Sequence, residues 1–217
     1  MSKKITALSA QVKNKERVNV YLDGQFAFGL AAIVAARLKV GQPLSDAEVA
    51  RLEALDEIEA AYHKSLNYLS YRPRSRAELE QYLKTKKVSA EASAQVLARL
   101  DQAQLVNDAE FARYWVDNRE QFAPRGKHAL RSELRHKGLS DADVQAALAD
   151  VDEAQGATEA ARKRAARMTG LEREVFFRRL SGFLQRRGYG YDVVKTVVAR
   201  LWQAQGAPPT DSEESEV

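Results

Sequence analysis

One segment of this chain returns twice at a nearly constant interval. Leu83-Lys84-Thr85-Lys86-Lys87-Val88-Ser89 reappears as Leu134-Arg135-His136-Lys137-Gly138-Leu139-Ser140 and again as Leu184-Gln185-Arg186-Arg187-Gly188-Tyr189-Gly190, at offsets of 51 and 50 residues. Flanking positions keep the register: Pro73 and Arg74 fall on Pro124 and Arg125, Leu79 on Leu130 and Leu180, Leu97 on Leu148 and Val198. A fixed period of this length is the mark of tandem structural units, each too small to bury a core well on its own. Stacked units expose a long surface, which suits binding better than enclosing a small substrate.

Capping chemistry divides each unit into helices. Ser45 with Glu48, Ser75 with Glu78, Asn107 with Glu110 and Thr169 with Glu172 have the spacing of capping boxes, in which a side-chain oxygen and an N3 carboxylate satisfy each other's backbone donors. Ser89 and Ser140 are simple N-cap candidates, and Gly138 and Gly188 stand where a helix end favours left-handed backbone. These signals predict helices near 58–71, 76–87 and 90–101, then 108–122, 126–137 and 141–150, then 157–168, 172–187 and 191–204. Phe111, Tyr114, Trp115, Phe176, Phe177, Phe183 and Trp202 are the expected core anchors, with Tyr68, Tyr71 and Tyr82 at core edges. The first forty-odd residues differ. Thr6, Leu8, Ala10 and Val12 alternate along one expected strand, Val18, Val20 and Leu22 along a second, Phe26 and Phe28 along a third. Asp23-Gly24 suits a two-residue type I′ hairpin, Lys13–Glu16 forms the other turn, and Leu30–Leu38 reads as a short helix closed near Gly41-Gln42-Pro43.

The fold class expected is therefore mainly α: three tandem three-helix repeats in an elongated chain, preceded by a small β-hairpin-containing domain. The boundaries are 1–44 for that domain, 45–104 for a helical linker plus the first repeat, 105–153 for the second, 154–205 for the third, and 206–217 for a disordered acidic tail.

Composition narrows the function. With no cysteine, disulfides and thiolate chemistry are excluded. The three histidines, His63, His128 and His136, form no metal-ligand cluster and read as ordinary helix residues. No Gly-x4-Gly-Lys-Ser/Thr loop occurs, so the chain is not a P-loop ATPase, and the Gly188-x-Gly190 pair reads as a helix-ending turn. Neither clustered carboxylates nor a serine with a nearby base suggests a hydrolase or nuclease; no catalytic residue, metal or cofactor is expected. No apolar run is long enough to span a bilayer and no signal-peptide core is present, so the expectation is a soluble intracellular protein with no membrane partner; a monomer is expected.

Charge is more telling in its distribution than in its total of +4. Residues 157–201 hold 11 Lys/Arg against 4 Asp/Glu, whereas 61–150 hold 15 against 12. Arg72, Arg74 and Arg76 flank Pro73; Arg125, Lys127, Arg131 and Arg135 stand at the corresponding place in the second repeat, and Arg178, Arg179, Arg186 and Arg187 in the third. In a regular stack these eleven cations would form a stripe fitted to a phosphate backbone or an acidic polymer. Nothing among them reads as a base-specific recognition helix.

The stretch Leu69-Ser70-Tyr71-Arg72-Pro73-Arg74-Ser75-Arg76-Ala77-Glu78-Leu79, with Leu83 beyond it, resembles the first repeat of the RecX regulatory proteins. So does Leu105-Val106-Asn107-Asp108-Ala109-Glu110-Phe111-Ala112, continuing to Pro124-Arg125-Gly126, Leu130, Leu134 and Gly138-Leu139. Tyr21-Leu22-Asp23-Gly24 is similar to the extra β-containing region of the family's longer members. Asn107 stands where many members have an acid, and Glu174 where the other repeats have proline. The resemblance implies a cytoplasmic modulator of the RecA recombinase, set in DNA recombination, repair and the SOS response. It would bind the RecA–single-stranded-DNA filament and depress ATP hydrolysis, strand exchange and co-protease activity, without cofactor or catalytic residues. Contact with single- or double-stranded DNA, non-specifically, would be secondary. The competing expectation is a stand-alone, sequence-independent DNA-binding module of helical repeats.

Overall fold

A computed structural model describes residues 2–206 of the chain; the expected acidic tail lies outside the described residues, apart from Gly206. Four strands come first: β1 (Ser2–Ala10), β2 (Arg17–Leu22), β3 (Gln25–Ala31) and, after the short helix α1 (Ala32–Ala35), β4 (Pro43–Ser45). They form one antiparallel sheet in the order β3-β2-β1-β4. Nine helices follow among the described residues: α2 (Asp46–Leu69), α3 (Arg76–Thr85), α4 (Ala90–Gln102), α5 (Asp108–Phe122), α6 (Lys127–His136), α7 (Asp141–Leu148), α8 (Glu153–Ala165), α9 (Arg173–Arg186) and α10 (Tyr191–Gly206). They divide three by three among the repeats. The chain separates into two compact bodies between Asn107 and Asp108, so the sheet and the first repeat share one body, and the second and third repeats the other.

In the sheet, Asp23 and Gly24 both have positive φ, +48° and +83°, as a type I′ turn requires. The alternation expected along β1 does not hold. A bulge between Ile5 and Ala7 shifts the register against β2, so Ile5 is buried and Leu8 half-buried, while Thr6, Ala10 and Val12 face solvent. Phe26, too, is exposed at the hairpin end. The expected helix over Leu30–Leu38 shrinks to α1, because Leu30 and Ala31 continue β3 by pairing with Val18 and Arg17. Strand β4, which sequence reasoning did not anticipate, pairs with Ser2–Lys4. An ion pair at 2.8 Å between Arg17 and Asp56, together with the Ala31 amide donating to Asp56, ties the sheet to α2.

Helix α2 starts at its Ser45–Glu48 capping box and runs unbroken through the expected linker, which has neither glycine nor proline to stop it. The Ser75–Glu78 box and the Ser89 and Ser140 caps stand as the spacing indicates. Thr169 does not cap α9. Gly170, at φ +75°, turns the chain after it, and the helix begins at Arg173 without a side-chain cap. Helix α8 starts four residues before the expected place because the Asp152 carboxylate accepts from the amides of Ala154 and Gln155.

Each repeat has its own core. The leucine pairs Leu79 and Leu83, Leu130 and Leu134, and Leu180 and Leu184 are all fully buried, four residues apart on the inner face of the middle helix. Phe111 and Phe176 are buried as expected, and Trp115, Phe177, Phe183 and Trp202 pack at core margins. Tyr114 instead is exposed, and Tyr71 is among the most exposed residues.

Each middle helix also ends identically. The amides of Val88, Leu139 and Tyr189 donate back to Leu83, Leu134 and Leu184, while those of Lys87, Gly138 and Gly188 donate to Lys84, Arg135 and Gln185. This is the double bond of a Schellman ending, with positive φ at Lys87 (57°), Gly138 (82°) and Gly188 (84°).

Candidate partner interface

The cations of the first repeat are largely engaged within it. Arg72 forks onto Glu78 at 2.8 and 3.0 Å and donates to the Pro73 carbonyl, so it braces the capping box of α3. The Arg74 guanidinium lies 3.9 Å from the centroid of Tyr68, which stacks on Tyr82. Arg76 pairs with Glu80 and with Asp101.

The second repeat is similar. Arg125 lies 3.6 Å from Glu133, whose carboxylate also accepts from Arg119 and from the Trp115 indole, both at 2.8 Å. Arg135 pairs with Asp141 at 2.9 Å, and the Lys127 ammonium is 3.5 Å from the Ala149 carbonyl. Arg131 is half-buried and makes no ion pair with a described residue.

The third repeat differs. Arg178, Arg179 and Arg186 are exposed on α9 and make no ion pair with a described residue. Arg179 and Arg186 are seven residues apart, two turns of helix, and so share a face. Arg187 is not free in this way. It lies 4.7 Å from the Phe183 ring centroid and donates to the Pro124 carbonyl at 3.0 Å, which fastens the third repeat to the second. Sequence reasoning passed over Arg162, Lys163, Arg164 and Arg167 at the end of α8. Arg164 lies 4.8 Å from the centroid of the same Phe183, which brings this run to the side of α9, and the local charge excess was the signal for it.

The repeat-two/repeat-three junction is set by two glycines. The Gly126 amide donates to the Arg187 carbonyl at 2.9 Å and the His128 amide to that of Gly188 at 3.3 Å, so the first turn of α6 is capped by the two carbonyls that follow α9. A Cβ on Gly126 would lie 2.2 Å from the Gly188 oxygen, and one on Gly188 2.4 Å from the Ala129 nitrogen. The two backbones meet where opposite ends of helix dipoles face each other. No group of described residues is arranged to hold a metal ion.

Four family models match the chain in order. They are the regulatory protein RecX N-terminal domain at residues 3–45 and the first, second and third three-helix domains of RecX at 61–100, 107–148 and 151–198. This chain belongs to the RecX family. Regulatory protein RecX of Bacillus subtilis (strain 168) is 33% identical over 202 residues, covering 91% of this chain and 76% of that protein. Regulatory protein RecX of Listeria monocytogenes serotype 4a is 31% identical over 198 residues, covering 89% and 74%. Among solved structures, a regulatory protein RecX superposes with a TM-score of 0.73 at 28% identity, over 90% of this chain and 98% of the other. RecX from Lactobacillus salivarius superposes at 0.62 and 24% identity, over 69% and 99%, a likeness of fold. The RecX layout accounts for the three-domain period and for the β-containing start. The matched N-terminal family model and the relatives are described as regulatory proteins. No helix among the described residues is long and apolar enough to cross a membrane.

Proposed function

We infer that this protein is a negative modulator of a RecA-type recombinase. It binds the recombinase–single-stranded-DNA filament in the cytoplasm as a monomer and lowers ATP hydrolysis, strand exchange and co-protease activity, with no catalysis of its own. The observation that carries this reading is the run of four RecX domain matches spanning residues 3–198 in family order. The exposed Arg178, Arg179 and Arg186, which make no ion pair with a described residue, support an anionic partner surface.

The same three arginines also favour a second reading, a helical-repeat module that binds DNA by its phosphates alone. Salt separates the two, because phosphate binding weakens steeply as counterions compete. The test is a titration of the full chain into preformed recombinase filaments, read as ATP hydrolysis, at two salt concentrations and beside DNA binding without recombinase. Inhibition that persists at the higher salt while DNA binding is lost is the expected result. Unchanged recombinase ATPase at all concentrations would overturn the regulatory reading.

A further inference from the structure

The third repeat crowds cations at one end of its first helix. Arg162, Lys163 and Arg164 stand in the last turn of α8, and Arg167 follows two residues after the helix ends. All four are exposed and make no ion pair with a described residue. Residues 162–167 contain no acid. Glu159, one turn earlier, accepts from Gln155, and Glu172 and Glu174 come only at the start of α9. A cation or two in a last turn complements the helix dipole. Four within six residues exceed that need, because each repels the others.

Helix α10 finishes beside this run. The Gln205 side chain donates to the Ala165 carbonyl at 2.7 Å, so the last turn of α10 is fastened to the last residue of α8. Trp202, one turn earlier, packs on Phe176 and Phe177 with ring centroids 5.2 and 6.3 Å away, which holds the helix in this place. Beyond Gly206 the sequence changes sign: 207–217 carries Asp211, Glu213, Glu214 and Glu216 and no Lys, Arg or His. Asp211 is five residues from Gly206 and Glu216 is ten, spans of up to about 17 and 33 Å. Arg162 stands three residues before Ala165, about 4.5 Å along a helix axis. The acids are therefore tethered within reach of every cation in the run.

We propose that the acidic stretch 211–216 binds the basic end of α8 in its own chain and competes there with an anionic partner. Exposed ion pairs are individually weak, so a free peptide of this composition would bind poorly. Attachment beside the site offsets that weakness, since a short tether gives an effective concentration of about a millimolar. A dense polyanion displaces the stretch by offering more charges at once, whereas a weakly acidic surface is turned away. This self-contact rests on reading the cations of the third repeat as open to an anionic partner, but not on which partner that is.

Backbone amide resonances of the full chain test it with no partner present. The variant Asp211→Asn, Glu213→Gln, Glu214→Gln, Glu216→Gln should shift the amides of 162–167 relative to the parent, and the difference should vanish in high salt. Competition is read with labelled heparin at low salt. Neutralising the four acids should tighten heparin binding about three- to tenfold in the parent, and much less in a chain that already carries Arg162→Gln, Lys163→Gln and Arg167→Gln. Arg164 is kept, because it lies over the Phe183 ring. Unchanged amides at 162–167 overturn the contact, and shifts confined to 178–186 overturn its assignment to α8. An equal gain on heparin in both backgrounds reduces the acids to their share of net charge and overturns the competition. None of these results alters the recombinase titration, which stands or falls separately.

Discussion

Tyr68 and Tyr82 stack with ring centroids 4.1 Å apart and planes 3° from parallel, at the positions that Arg119 and Glu133 occupy, as a 2.8 Å ion pair, one repeat later. The same helix–helix contact is thus made by two aromatic rings in one domain and by opposite charges in the next. In both, the arginine after the proline, Arg74 or Arg125, completes it.

This difference sets unequal sensitivities. Glu133 serves three donors, so Glu133→Ala strands the Trp115 indole and two guanidinium groups; the expected loss is about 2 kcal/mol. Tyr82→Phe keeps the stacked ring and should cost well under ~1 kcal/mol. Urea denaturation of the two variants checks the order.

The glycine contact between the second and third repeats predicts a larger effect. Gly126→Ala places a methyl 2.2 Å from a backbone oxygen that no rotamer change can move. The junction must open, at a cost of more than about 2 kcal/mol by analogy with overpacked cores. Calorimetry should show a lowered or split transition for the body that begins at Asp108.

Two helix ends carry avoidable strain. Lys87 adopts a φ of 57° where its repeat equivalents Gly138 and Gly188 are glycine, and Gln104 adopts 55° just beyond α4. Lys87→Gly and Gln104→Gly should each change stability by about +0.5 to +1 kcal/mol, and Gly138→Val should lose about 1 kcal/mol or more. Thermal midpoints of the three single variants test the sign.

Glu120 introduces a pH dependence. Burial, and then the charges of Asp117, Glu159 and Asp152, raise its pKa from the ordinary 4.5. The folded state therefore holds the proton more tightly than the unfolded chain. Stability from this group is complete below 4.5 and is lost as pH rises through the folded value. In Glu120→Gln that decline should disappear from a series of denaturation midpoints.

For binding, the arginines of the third repeat should divide. Reversing charge at Arg178, Arg179 and Arg186 should weaken inhibition of recombinase filaments while leaving the circular dichroism melt unchanged. Arg187→Ala should instead lower the melting temperature, since it loses the Pro124 hydrogen bond and the Phe183 contact. A triple variant that inhibits like the parent at both low and high salt would remove these residues from the interface.

Much of this architecture was legible in the sequence because local chemistry decides it. The Ser75–Glu78 box, the Asp23-Gly24 turn and the recurring Leu79, Leu130 and Leu180 need only neighbours within a few residues. What was hidden depends on distant ones. The bulge at Ile5–Ala7 is defined by pairing with β2, and the short β4 by pairing with Ser2–Lys4. For the basic residues, composition gave the cations but not their partners. Arg72 and Arg125 look as available as Arg178 in the sequence, and only the folded positions of Glu78 and Glu133 separate them.

The capping of α6 by the carbonyls of Arg187 and Gly188 limits how freely these domains can be rearranged. Ser75 lets the first repeat start its middle helix unaided, whereas Gly126 has no side chain to offer and borrows its acceptors from a segment sixty residues downstream. A chain cut after the second repeat would keep every residue of that repeat's core yet leave the start of α6 open. The domains repeat as sequence, but they do not commute: the second is finished only when the third has folded onto it.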